Sequence, residues 1–126
     1  MRSLLPAALT FSLTVIACSP SGSEARTPTV TECGEQATPA RDKVNAAIEA
    51  NRTCSVDADC MTIEVRSTCF DACTTSIAKS GQAAVEQAMS SASQDECQAF
   101  AAAGCKLIIP PCMGPVPPVC REGKCS

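Results

Sequence analysis

The chain has 126 residues, a net charge of −3, eleven cysteines and no histidine, tryptophan or tyrosine. Without histidine, the Ser-His and Cys-His nucleophile pairs and the commonest general base are excluded. The acidic balance, the lack of a basic cluster and the near absence of stacking faces argue against a nucleic-acid partner.

Arg2 precedes a mostly apolar run from Leu4 to Ile16 that closes on small residues. That is the n-region and h-region of a targeting segment, and it is too short for a membrane span of about 20 apolar residues. Ala17 satisfies the ordinary signal-peptidase rule, which would leave one cysteine unpaired. Val15-Ile16-Ala17-Cys18 also resembles the lipobox of bacterial lipoproteins, a tighter pattern. The resemblance implies removal of residues 1–17, a lipid on Cys18 and attachment to a membrane through that lipid. Cysteine parity points the same way, because setting Cys18 aside leaves an even number. Ser19 after the lipid-bearing cysteine implies sorting to the outer membrane of the bacterial cell envelope. Residues 18–31 then read as a flexible tether, and residues 32–126 as one folded domain.

Within the domain, Thr38-Pro39 predicts a helix start, with proline at the first helical position and Val44, Ala47, Ile48 and Asn51 on one face. That helix runs from Pro39 to Asn51. Residues 61–66, MTIEVR, alternate apolar and polar and predict a half-buried strand with Met61, Ile63 and Val65 inward. A tight connection lies between Cys69 and Cys73. Thr75–Ser91 reads as mostly helical, with Ile77, Ala84, Ala88 and Met89 as its stripe, or with Ser80 as N-cap after an extended piece. Ser93-Gln94-Asp95-Glu96 has the form of a capping box. It predicts a helix to Ala103 stopped by Gly104, with Cys97, Phe100 and Ala101 inward. Lys106–Ile109 reads as a short buried strand ended by Pro110-Pro111. Residues 119–125 read as a small hairpin turning at Glu122-Gly123. The expected fold is α+β: two or three helices packed on a small antiparallel sheet.

Large apolar residues are few, so the core is thin, and disulfides worth about 2–4 kcal/mol each would compensate. The ten candidates are Cys33, Cys54, Cys60, Cys69, Cys73, Cys97, Cys105, Cys112, Cys120 and Cys125. Ten cysteines admit roughly 945 complete pairings, and spacing does not choose among them. There is no C-x2-C pair and no histidine, so neither a zinc site nor a thioredoxin-type motif is expected. Asp57, Asp59 and Asp71 could meet calcium, but the EF-hand spacing and its glycine are missing, and Asp in turns ordinarily bonds its own backbone. Asp95 and Glu96 suit a first helical turn better than acid/base chemistry. Neither a metal nor any other cofactor is expected, nor an enzyme.

The succession C54-S-V-D-A-D-C60, C69-x3-C73, two helices and a terminal P-x-V-C120-x2-G-x-C125 is similar to small cysteine-rich lipoproteins and secreted domains of myxobacteria. Its opening string also looks like the start of whey acidic protein inhibitor modules, but the adjacent Cys-Cys pair of those modules is absent. Two functions follow as expectations. The first is a non-enzymatic binding or structural module at the envelope, meeting an envelope or extracellular protein or a glycan. The second is a protease inhibitor or other secreted effector. Its loop would be Met113, Gly114, Pro115, Val116, Pro117 and Pro118, bracketed by Cys112 and Cys120 and stiffened by proline.

Overall fold

A computed structural model describes residues 26–126. The lipobox, Cys18 and the first part of the predicted tether lie outside the described residues. Helix α1 spans Val30–Ala50, so it begins well before Pro39 and reaches into the stretch read as tether. A reciprocal capping box sets its start. Thr29 Oγ1 accepts from the Glu32 N–H at 3.2 Å, and the Glu32 carboxylate accepts from the Thr29 N–H at 2.7 Å. The helix passes through Pro39, where an amide donor is lost and the ring crowds the preceding turn. Buried Ala37 and Ala40 on either side hold it against the core. Further along, Val44 and Ile48 are buried as the stripe requires, and the Asn51 N–H caps onto the Ile48 carbonyl.

Strand β1, Cys60–Arg66, pairs antiparallel with β2, Asp71–Ala78. In β1, Ile63 and Val65 are buried and Met61 is half-buried, so the alternation reads true. Ser67–Phe70 makes the connection, closed by a 2.9 Å bond from the Ser67 N–H to the Phe70 carbonyl. The helical reading of residues from Thr75 to Ala78 is corrected: they are strand. Pairing with β1 satisfies their backbone, and Ile77 becomes fully buried. The register slips between Glu64 and Arg66, and Cys73 in the opposing stretch has φ 61°. That bulge is held by Asp71, whose Oδ1 accepts from the Cys73 N–H at 2.9 Å.

A 3-10 turn at Lys79–Gly81 leads into α2, Gln82–Gln94, with Gly81 rather than Ser80 at its N-cap. Its buried residues are Val85 and Ala92, with Ala88 and Met89 half-buried, whereas Ala84 faces solvent. The predicted capping box at Ser93 does not start a helix. Ser93 stays in the last turn of α2, where its hydroxyl accepts from the Thr68 N–H at 3.2 Å. Glu96 instead reaches Lys43 of α1 at 2.7 Å. The short helix α3, Gln98–Ala102, follows, and there Cys97 and Phe100 are buried but Ala101 is exposed. Gly104 does stop it, at φ 76°. The Gly104 N–H bonds Ala101 and the Cys105 N–H bonds Phe100, the paired bonds of a Schellman ending.

No strand forms at Lys106–Ile109. Ile108 and Ile109 are exposed and no ladder partner lies beside them, since the following prolines cannot extend a pairing. From Cys105 to Val119 the chain is an irregular strap. The closing hairpin is present: β3, Cys120–Arg121, pairs with β4, Lys124–Cys125. Glu122 and Gly123 both have positive φ, as a type I′ turn demands. The segment Arg52–Cys54 flanks β4, with the Cys125 N–H bonding the Arg52 carbonyl at 2.7 Å.

The fold is therefore α+β with two small antiparallel sheets and five disulfides. One core cluster joins α1, α2 and α3 to β1 and β2, and a second, largely of cystine, seats the hairpin. Among the described residues, no helix is long and apolar enough to cross a membrane.

Candidate functional site

All ten cysteines after Cys18 are paired, as Cys33–Cys105, Cys54–Cys120, Cys60–Cys125, Cys69–Cys97 and Cys73–Cys112. Cys69–Cys97 ties the β1–β2 turn to the entry of α3. The other four all tie the C-terminal third of the chain back onto α1, the sheet or the loop between them. Three of these fix the strap: at its start on α1, at its middle on the bulge of β2, and at its end near the 3-10 turn Asp57–Asp59.

The six loop residues singled out in the sequence occupy the outermost part of this strap. Met113 is 86% exposed and Val116 74%. Gly114, Pro115 and Pro117 are also exposed, and Pro118 is half-buried where the strap rejoins the domain. The base is held from several sides. The Thr62 hydroxyl of β1 reaches the Val116 carbonyl at 3.5 Å. Val119 and Ser126 exchange backbone bonds of 3.1 and 2.9 Å. The Cys120 N–H donates to Asp57 Oδ1 at 2.7 Å. A loop so anchored presents its apolar side chains with little ordering left to lose on contact. Ile108 and Ile109, 67% and 64% exposed, add apolar surface at the start of the strap, where the sequence predicts burial. The signal that could have found them was Pro110-Pro111, which denies the preceding residues a continuous ladder.

The carboxylates weighed for calcium serve the backbone. Asp59 Oδ2 accepts from the Ser55 and Val56 N–H groups at 2.8 and 3.1 Å, and these bonds hold its carboxyl below the usual range. Asp57 caps Cys120. Asp71, with only 2% of its side chain exposed, is held low first by the Cys73 N–H and then by Arg66 at 2.7 Å. Two places bring cysteine sulfurs close to one another or to a carboxylate, Cys54–Cys60–Cys125 and Asp71–Cys73–Cys112. All these sulfurs belong to disulfides and offer no thiolate to a metal. Glu96 is held low chiefly by its hydrogen bond to Lys43, whose ammonium also donates to Ser91 Oγ at 2.6 Å. This cluster joins α1 to the end of α2. Lys79 donates to the Ala58 carbonyl at 2.7 Å.

Fold and framework together define a class: a small disulfide-rich α+β domain that carries an exposed, proline-stiffened apolar strap. No family model, no curated protein and no solved structure matches the chain.

Proposed function

We propose that this chain is a bacterial envelope lipoprotein, anchored through a lipid on Cys18, whose domain acts as a non-enzymatic binding module. Its partner is an envelope or extracellular protein or glycan, met by the apolar strap. The observation that supports this reading is the closure of the framework. Ten cysteines pair among themselves, so the eleventh is the one at the end of the apolar leader, where a lipobox needs it. The exposed side chains of Met113 and Val116 on a clamped base supply the contact surface. The test is intact mass of the membrane-extracted protein, alkylated without prior reduction. An acylated N-terminal Cys18 with no labelled thiol supports the anchor. A chain without acyl mass overturns it.

A second reading has its own support. Met113 stands immediately after a disulfide-bonded cysteine and is the most exposed of the large apolar residues. A stiff, protruding loop of this kind suits insertion into a protease cleft. Inhibition in a panel of serine proteases, lost on Met113→Asp, supports the inhibitor. Absence of inhibition across the panel removes it and leaves the binding module.

A further inference from the structure

A groove of about 200 Å³ lies between the N-terminal half of α1 and the start of the strap. Its apolar lining includes Ala37, Phe70, Phe100, Leu107 and the Cys33–Cys105 disulfide. Two cations share that lining, Arg41 and Lys106. The Arg41 guanidinium stands 5.9 Å from the centre of the Phe70 ring. Among the described residues, neither cation has a carboxylate within salt-bridge distance. The carboxylate in the lining, Asp71, is already engaged by Arg66 and by the Cys73 N–H. The result is an apolar slot with uncompensated positive charge at its edge.

We propose that this groove binds a medium-chain fatty acid, with the carboxylate between Arg41 and Lys106 and the chain over Phe70 and Phe100. The size of the groove sets the length of the ligand. An apolar cavity of about 150 Å³ holds a benzene-sized molecule and drug-sized sites start near 300 Å³, so a body of about eight carbons fits here. The charge sets the head group. A guanidinium donates two parallel bonds to one carboxylate, and a second cation on the same lining adds to the positive charge. This ligand site is independent of how the chain is anchored, and it shares Lys106, Leu107 and Ile108 with the start of the strap.

The test uses the full chain, disulfides intact, in its native membrane, labelled with an octanoate analogue that carries a photoreactive diazirine at the chain end. Labelling is expected on peptides containing Phe70, Phe100 or Leu107. Octanoate competes with it, and octylamine, of the same chain length and opposite charge, does not. The pair Arg41→Glu and Lys106→Glu weakens octanoate competition at least tenfold. Gly34→Leu gives a second arm that does not depend on charge reversal. Gly34 lines the groove and a Cβ placed there stands in open space, so a leucine adds apolar bulk beside the groove without a clash on the helix. Labelling then falls while the thermal unfolding temperature holds or rises. Equal competition by octylamine, or octanoate competition unchanged by the Arg41→Glu and Lys106→Glu pair, overturns the proposal and reduces the groove to an adhesive apolar surface.

Discussion

Among the glycines of the described residues, Gly81 has the least room for a side chain. A Cβ built there would sit 2.3 Å from Asn51 Cβ, where the end of α1 crosses the entry to α2. By propensity alone a glycine weakens a helix, yet here its missing side chain is the condition for the crossing. Gly81→Ala is therefore expected to destabilise the domain by about 1–3 kcal/mol, as overpacking does. Gly104 is the contrast. It has positive φ but open space around it, so Gly104→Ala costs about 1 kcal/mol of backbone strain and no clash. Denaturant melts of the two variants separate these causes. The carboxylates Asp59, Asp71 and Glu96 are all held below their ordinary range by donors. In the unfolded chain such groups titrate near pH 4. The unfolded state thus takes up protons first, and stability present at neutral pH falls as pH drops through about 4 and below. Thermal melts between pH 7 and 3 should show that decline. Asp59→Asn should shrink it.

Among the elements, those written by short-range signals were legible. The alternation of residues 61–66 and the Glu122-Gly123 turn both read true, because strand facing and turn chirality are local properties. The helix starts were not. Thr38-Pro39 predicts the start of α1, and the Thr29–Glu32 capping box sets it nine residues earlier. That box offers reciprocal bonds, and the Cys33–Cys105 bridge and buried Ala37 secure the turns that follow it. The Ser93 box lost for a tertiary reason: its serine was taken by Thr68 and its glutamate by Lys43. Residues 75–78 were ambiguous in isolation, and only the neighbouring β1 decided them. Cα-level pairing of this kind is not written in composition. The strap was legible as a bracketed proline-rich loop, whereas the groove beside it was not, since it gathers residues from four separate segments. The survival of α1 across Pro39 leads to a further expectation. Proline in a helix interior costs about 3 kcal/mol relative to Ala, and Pro39 is exposed, so Pro39→Ala should raise stability by about 1–3 kcal/mol. A rise in the denaturant midpoint at constant m-value checks it. No rise would mean that Pro39 costs α1 nothing where it stands.

For the molecule as a whole, cystine replaces bulk. Among the described residues the core holds two aromatics, Phe70 and Phe100, and beyond them its largest fully buried side chains are Ile77, Val44, Val65 and Val85. Such a core does not fold a chain of this size with much margin, and the long loops closed by the bridges supply it. Replacing Cys33 and Cys105 together by Ala should cost about 2–5 kcal/mol and release the strap start from α1. Urea melts measure the cost, and full reduction should abolish a cooperative transition. The connectivity has a consequence in time. Taken in chain order, no bridge joins two successive cysteines; even Cys69–Cys97 steps over Cys73. A chain that is oxidised as it arrives, N-terminus first, would trap Cys33 with Cys54 and Cys60 with Cys69 long before Cys105, Cys120 and Cys125 appear. Every such early bond has to be undone by thiol–disulfide exchange. Maturation is therefore an editing problem. A plain oxidant should yield scrambled isomers on peptide mapping, and a reduced–oxidised glutathione couple or an isomerase should turn them into the single native set.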